Sequence, residues 1–208
     1  MNNQLTSFPF CSRLLCSPLL MLLILAMMAG AAAAQDINKI WTSVGSTGTV
    51  DDTDTGKLHF IGPRATTNNV APGTKAVVRY NVVAVDGLFA DLTPTSWPAL
   101  IVRYSTLNGQ GRVVARLKEY IMTGPQAGQT NTLITLDSDD FPQAADFQTR
   151  SIGNCGNFSH FQFASGQVAR AYFIEVEITS HTGVSGVGVG ALAISRYGVC
   201  LNNVFQQP

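Results

Sequence analysis

Alternation of apolar residues with period two is the feature that most constrains the fold of this chain. Every second residue from Ala76 to Ala84 is apolar, which predicts a β-strand with one buried face. Apolar spacing of three to four residues, which would predict helices, is scarce, so we expect an all-β chain. The same alternation recurs in three other segments: Leu100, Val102 and Tyr104; Val113, Ala115 and Leu117; and Tyr172, Ile174, Val176 and Ile178.

Weaker strand patterns bring the expected number of strands to about eight. About eight strands, each polar on one face, need a second sheet to cover their apolar faces. We therefore predict a two-sheet antiparallel sandwich of jelly-roll type, with an up-and-down β-barrel as the alternative. Turn residues at Asn108–Gly111 predict a hairpin, and Phe141–Phe147 is a short helical candidate. The weaker strands are expected at Leu58–Ile61, Thr132–Leu136, His160–Phe163 and Ala191–Cys200.

The segment Met1–Ala34 has the three parts of a secretory signal peptide. Arg13 is the only charged residue before Asp36, Leu19–Met28 is an apolar run, and Ala32–Ala34 ends the segment with small residues. We expect cleavage after Ala34, with an uncleaved membrane anchor as the alternative. Residues 35–208 then form one β-sandwich domain that is secreted, periplasmic or displayed at the cell surface, with no further membrane segment.

The charge balance argues against nucleic acid as a partner. Once Arg13 is removed with the signal, 12 Lys and Arg residues face 13 Asp and Glu residues. Phosphate backbones are bound through a surplus of basic side chains, which this chain lacks.

Two cysteines, Cys155 and Cys200, remain after signal cleavage. An even pair in a chain destined for an oxidising compartment predicts a structural disulfide. The bond would close a loop of about 45 residues and stabilise the fold by roughly 4 kcal/mol.

Five basic residues are expected to face solvent on strands that are close in sequence. If Tyr80, Tyr104 and Leu117 point into the core, the residues that alternate with them point outward. One interpretation is an anion-recognising face, with Arg79, Arg103 and Arg116 as ligand contacts. The other, which the sequence favours, pairs these side chains with Glu175 and Glu177 in solvated ion pairs. The five residues are Arg79, Arg103, Arg112, Arg116 and Lys118.

Glu175 and Glu177 lie on one face of a predicted strand, about 6.5 Å apart by strand rise. That separation overlaps the spacing of carboxylate pairs in glycoside hydrolases. Nearby arginines would lower rather than raise the pKa of either group, however, which does not suit a general acid. We assign no catalytic residues, and a glycan-active enzyme is the least supported function.

Two acidic clusters contain hard oxygen ligands of the kind that calcium prefers. Asp52 and Asp54 belong to the first, and Asp137 and Asp139 to the second. A structural calcium ion at either cluster is one interpretation, and solvated turns without metal are the other. No other cofactor is expected.

In its size, strand rhythm and acidic loops, the chain resembles jelly-roll carbohydrate-binding modules. The resemblance implies a secreted, non-catalytic module that binds carbohydrate or another extracellular surface ligand, such as a surface protein. Trp97 is the best candidate for stacking on a sugar ring, because it lies in a predicted loop. The alternative function is a structural or assembly subunit of the cell envelope or of a surface filament, which low charge and the polar tail Asn202–Pro208 would also suit.

Overall fold

Strands account for almost all regular structure in the computed structural model, which describes residues 40–83, 98–153, 164–165, 168–195, 199–201 and 204–206. All of them belong to the second of two compact units, Asn38–Pro208. The strands are β1 Ile40–Val44, β2 Thr49–Val50, β3 Leu58–Ile61, β4 Arg64–Thr67, β5 Thr74–Val82, β6 Ala99–Ser105, β7 Gly111–Ile121, β8 Thr130–Asp137, β9 Gln148–Gly153, β10 Ala164–Ser165, β11 Val168–Ser180, β12 Gly188–Ser195, β13 Val199–Leu201 and β14 Val204–Gln206.

Helical structure in these ranges is limited to three short 3₁₀ turns, Gly45–Thr47, Asp52–Asp54 and Ser138–Asp140. No helix in the described part of the chain is long and apolar enough to cross a membrane. The helix expected at Phe141–Phe147 is absent, and this segment is irregular instead.

The strands form two six-stranded antiparallel sheets. Sheet I has the order β3-β4-β12-β6-β9, with β1 also paired to β12. Sheet II has the order β2-β5-β11-β7-β8, with β10 also paired to β11. A separate two-stranded ladder joins β13 and β14. The predicted two-sheet sandwich is therefore confirmed, and the barrel alternative is wrong.

Eight of these strands are paired in jelly-roll order. Taken along the chain as β4, β5, β6, β7, β8, β9, β11 and β12, the first pairs with the eighth and the second with the seventh. The third pairs with the sixth and the fourth with the fifth. The remaining short strands extend the sheets or form the separate ladder.

Only one of the seven connections between these eight strands is a hairpin within a sheet, between β7 and β8. The connection from β6 to β7 crosses from sheet I to sheet II, so the hairpin predicted at Asn108–Gly111 is wrong. The turn is tight nevertheless, with positive φ angles at Leu107, Asn108 and Gly109. Leu107 packs against the core, so the connection bends over the end of the sandwich.

The core lies between the two sheets and is a single cluster of buried side chains. The alternating segments contribute to it as predicted, because period-two alternation places every second residue on the same face. Tyr80 and Tyr104 are both buried there, and Trp41 of β1 is only 6% exposed. Sheet I contributes Leu100, Val102, Leu192 and Ile194, and sheet II contributes Val78, Val113, Leu117, Ile174, Val176 and Ile178.

Two of the expected strands differ from the prediction. The segment Ala191–Cys200 divides into the end of β12 and the start of β13. His160–Phe163 lies outside the described residues.

Candidate functional site

The outer face of sheet I carries a cleft of about 510 Å³ that crosses four neighbouring strands. In the order β1, β12, β6 and β9, these strands place outward side chains in register. Strand spacing of about 4.8 Å gives this surface a width of roughly 14 Å. One row across the sheet is Thr42, Ala193, Ile101 and Ser151, and the next is Val44, Ala191, Arg103 and Thr149.

The cleft exists because its central strand carries the smallest side chains. Ala191 and Ala193 of β12 form the floor, with Val44 of β1 on one side and Ile101 and Arg103 of β6 on the other. The alternate residues of β12 and β6 are buried in the core, so the position of this floor is set by the packing of the sandwich. We call this feature the sheet I cleft.

Hydroxyl groups hold the turn at one wall of the sheet I cleft. Thr47 donates a 2.9 Å hydrogen bond to the carbonyl oxygen of Val44, and its Oγ1 lies 2.7 Å from Oγ of Ser43. Both hydroxyls also line the cleft. The wall therefore combines an exposed aliphatic side chain, Val44, with polar groups that can bind a ligand.

Phe147 is in contact with two arginines of sheet I. The guanidinium carbon of Arg64 lies 4.6 Å from the centroid of its ring, and that of Arg103 lies 6.0 Å away. Both are within the range of cation–π attraction. The ring also packs on Gly190, where an added Cβ atom would lie 3.2 Å from two ring carbons. A glycine at this point of β12 therefore allows the ring and Arg103 to approach each other.

The basic residues of the two sheets differ in their partners. Arg64, Arg103 and Arg150 of sheet I form no ion pair with any carboxylate in the described ranges. The other seven described lysines and arginines each lie within 3.5 Å of a carboxylate oxygen. These seven are Lys57, Lys75, Arg79, Arg112, Arg116, Lys118 and Arg170.

A second hollow of about 340 Å³ shares Ile101 and Thr149 with the sheet I cleft. Phe141, Arg150 and Ser151 line the rest of it. The guanidinium carbon of Arg150 is 5.7 Å from the Phe141 ring centroid. The Nε atom of Arg150 is buried and has no hydrogen-bond partner.

Two of the predicted ligand contacts, Arg79 and Arg116, form ion pairs on the outer face of sheet II. Arg79 pairs with Asp51 at 2.6 Å and with Glu175 at 3.1 Å. Arg116 lies 3.5 Å from Glu177. The interpretation that paired these arginines with glutamates on a neighbouring strand is therefore the one observed.

Arg103 is on the other sheet, so the five basic residues do not share one face. The reason is the crossing between β6 and β7, which sends Arg103 to the outer face of sheet I and Arg112, Arg116 and Lys118 to that of sheet II. The expectation of a single basic face is wrong.

Glu175 is held in its charged form by two basic neighbours. Burial raises the pKa of this carboxyl, but the hydrogen bond and charge of Lys118 and those of Arg79 outweigh burial and lower the pKa below its ordinary value. The Lys118 bond is 2.6 Å long. A carboxyl group in this state does not serve as a general acid near neutral pH.

The four aspartates predicted as calcium ligands lie at opposite edges of sheet II. Asp54 adjoins β5, and its two oxygens accept hydrogen bonds from Lys57 at 2.6 Å and from the Val77 amide at 2.8 Å. Asp137 ends β8 and accepts two hydrogen bonds from Arg112. No group of three or more metal-ligating side chains occurs among the residues that the structure describes. Calcium at Asp52 and Asp54, or at Asp137 and Asp139, stays a prediction.

Trp97 and Cys155 lie outside the described residues. Cys200 belongs to β13, where it pairs with Phe205 of β14. Stacking by Trp97 and the Cys155–Cys200 disulfide therefore stay predictions.

The sheet I cleft was not foreseen from the sequence, apart from Arg103. Its lining residues come from positions between Thr42 and Ala193 and meet only through strand pairing. The available signal was the pair of alanines that alternate with Leu192 and Ile194, since small outward residues on a central strand leave a depression.

Comparison with known proteins gives limited similarity. No protein family model matches the chain, and no curated protein matches it. Among solved structures, it is similar to a family 35 carbohydrate binding module from Clostridium thermocellum, with 14% identity and a TM-score of 0.36 over 75% of this chain and 97% of that chain. It is also similar to CBM35 from Cellvibrio japonicus Abf62, with 16% identity and a TM-score of 0.30 over 81% of this chain and 97% of that chain.

Proposed function

We propose that this chain is an exported, non-catalytic binding module whose ligand is a carbohydrate. The observation that carries the proposal is the open sheet I cleft, which crosses four strands and has a floor of alanines. Export rests on the signal-like segment Met1–Ala34, and it would place the module in the periplasm, at the cell surface or outside the cell.

The chemistry of the cleft suits a sugar. A pyranose ring presents both aliphatic C–H surface and hydroxyl groups, and the cleft offers a partner for each. Val44 and Ile101 provide exposed or half-exposed aliphatic surface, while Thr42 and Thr149 provide hydroxyls that both donate and accept hydrogen bonds. The Thr47 hydroxyl, which donates to Val44, can accept one. Because the cleft is open rather than enclosed, it can accept an internal segment of a long polysaccharide.

A binding role is favoured over catalysis by the positions of the carboxylates. Glu175 and Glu177 belong to β11 of sheet II and are paired with basic side chains there. The sheet I cleft has no carboxylate among those of its lining residues that the structure describes. Glycoside hydrolysis would need two carboxylates beside the scissile bond.

The test is to fill the cleft without disturbing the core. Ala193→Phe places an aromatic ring on the floor, and Thr135→Phe, at an exposed position on β8 of sheet II, is the matched control. Binding is measured by affinity electrophoresis and calorimetry against a panel of neutral and acidic polysaccharides, with thermal unfolding to verify folding. We expect Ala193→Phe to weaken binding at least tenfold and Thr135→Phe to leave it unchanged. Equal binding by a folded Ala193→Phe protein, or no binding by the wild type, would overturn the proposal.

A structural or assembly subunit is the second candidate, and one observation favours it. Phe60 and Ile61 are 44% and 61% exposed on β3, which pairs only with β4 among the described strands. An exposed apolar edge strand can pair with another chain. Concentration-dependent oligomers in sedimentation experiments, abolished by Phe60→Lys with Ile61→Lys, would support this function over glycan binding.

A further inference from the structure

We infer that the ligand of the sheet I cleft is an anionic glycan whose charged group binds Arg103. This inference rests on the proposed function, because it names the class of carbohydrate that the same cleft would accept. The charged group is a carboxylate or a sulfate ester, since both accept paired hydrogen bonds from a guanidinium.

The first argument is the separation of charge between the two faces of the sandwich. On sheet II, outward basic side chains alternate with Glu175 and Glu177 across strand pairs, so this face is largely neutralised. On the outer face of sheet I, Arg64 and Arg103 have no carboxylate partner within the described ranges. Among the described residues, the outer face of sheet I therefore carries positive charge that no carboxylate pairs with, although the total charge of the chain is nearly balanced.

The second argument is the position of Arg103 inside the cleft. It lines the cleft between Ala191 and Thr149, its neighbours in the same row across the sheet. Its side chain is exposed, and it has no hydrogen bond to a described residue that would occupy its N–H donors. An anionic group on the ligand would meet a guanidinium whose hydrogen-bonding capacity is unused.

The third argument is that Phe147 contacts two guanidinium groups and neutralises neither. Arg64 and Arg103 lie 4.6 and 6.0 Å from the same ring centroid. Asp146, next to Phe147 in sequence, forms an ion pair with neither arginine. Attraction to the ring orders Arg103 without neutralising it, so its charge remains available to a bound anion.

The fourth argument is that neutral hydrogen-bonding groups lie beside Arg103. Thr149 is directly opposite it on β9. A sugar bound over Ala191 would place its charged group on Arg103 and its hydroxyls against the threonine. A longer polymer could continue into the neighbouring hollow, because the hollow and the cleft share Ile101 and Thr149.

The experiment compares polymers that differ only in charge. Polygalacturonate and its methyl ester test the carboxylate, and dextran sulfate and dextran test the sulfate ester. We expect the wild type to bind at least one charged polymer about tenfold more tightly than its neutral counterpart at low ionic strength. The preference should decrease as sodium chloride is added, because salt screens exposed charges.

Arg103→Gln should remove most of this preference. Arg103→Lys should retain part of it, because the positive charge remains while the planar guanidinium group, which can donate two parallel hydrogen bonds, is lost. Arg116→Gln on sheet II is the matched control and should behave as the wild type. An unchanged preference in a folded Arg103→Gln protein would overturn the inference.

The two proposals fail in different ways. If charged and neutral polymers bind equally, and Ala193→Phe still abolishes binding, the cleft is a carbohydrate site but the anionic class is wrong. If the wild type binds neither member of either pair nor any other polysaccharide, both proposals are wrong.

Discussion

The hydroxyl group of Tyr80 donates a 2.7 Å hydrogen bond to the carbonyl oxygen of Gly45. Tyr80 belongs to β5 of sheet II, whereas Gly45 begins the turn that follows β1 of sheet I. The bond therefore crosses the sandwich and anchors the turn that carries Thr47, a residue of the sheet I cleft. A Cβ atom at Gly45 would lie 2.2 Å from the carbonyl oxygen of Val189, so no larger residue fits without a shift of the backbone.

Tyr80→Phe is expected to destabilise the protein by about 1–2 kcal/mol, because a buried carbonyl oxygen loses its donor. Urea unfolding monitored by fluorescence measures the change. Tyr120→Phe is the control, because Tyr120 is 40% exposed and should contribute little. Equal stability of the Tyr80→Phe protein and the wild type would mean that the bond is replaced by another donor.

Alkaline pH should destabilise the fold through its buried tyrosines. Burial raises the pKa of Tyr80 well above its ordinary value of 10.0, and burial also raises the pKa of Tyr104 despite the opposing effect of Arg150. Unfolded tyrosines ionise near pH 10 while the buried ones stay neutral. The stabilisation is therefore complete below pH 10 and is lost as the pH rises above it.

Unfolding free energies between pH 8 and pH 11.5 test this expectation. The stability difference between wild type and Tyr80→Phe should shrink above pH 10, since the variant lacks one of the two groups. A difference that stays constant over this range would contradict the raised pKa of Tyr80.

Acidic pH should destabilise the fold, because protonation of Asp54 weakens its hydrogen bonds in the loop before β3. Burial raises the pKa of Asp54, but hydrogen bonds from Lys57 and the Val77 amide, with the charge of Lys57, lower it below 3.8 overall. A lowered pKa in the folded state stabilises the protein above the unfolded value, and this contribution is lost as the pH falls below about 4.

Asp54→Asn should cost roughly 2 kcal/mol at pH 7, because bonds to a buried carboxylate are lost or weakened. The penalty should shrink in unfolding experiments at pH 3, where the wild-type carboxylate begins to be protonated. Asp52→Asn, at an exposed position of the same turn, is the control and should change stability by less than about 0.5 kcal/mol. A penalty for Asp54→Asn that is the same at pH 3 and pH 7 would rule out this linkage.

Gly190→Ala should weaken ligand binding more than it weakens folding. The added Cβ atom would lie 3.2 Å from the Phe147 ring, which must move by a few tenths of an ångström. Phe147 lies in an irregular segment and can shift, so we expect a stability change below about 1 kcal/mol. The shift should alter the position of Arg103 and reduce affinity for the best anionic polymer several-fold.

Phe147→Leu provides the comparison, since it removes the ring that attracts both arginines. It should reduce affinity at least as much as Gly190→Ala in calorimetric titrations. Full affinity in both variants would show that the ring does not position Arg103 for binding.

Local alternation was sufficient to predict the strongest strands and their inward faces. The strand expected at Leu58–Ile61 is observed with the same bounds, and Tyr80 and Tyr104 are buried as expected. Strands β1, β4 and β9 were missed because they are short and contain polar or small residues at many positions, which obscures the alternation of apolar residues.

The candidate site was predicted only in part, because its residues come from four separate strands. Arg103 was correctly expected to point outward, but its neighbours were expected to be Arg79 and Arg116. The nearest strand in sequence, β7, belongs to the opposite sheet, and β12, which is about 90 residues later, pairs with β6 instead. Loop residues at Leu107–Gln110 suit a hairpin and a crossing between sheets equally well, so turn chemistry could not separate the two.

The sequence by itself determined which side chains face the core, because inward and outward positions alternate along a strand whatever its partner. It also determined that two sheets must cover each other, since many strands have one apolar face. Only the tertiary structure decided which strands are neighbours, because both sheets present similar apolar faces and similar edges to every incoming strand. That choice brought Ala191, Arg103 and Thr149 into one row and left Arg103 without the glutamates that neutralise Arg79 and Arg116.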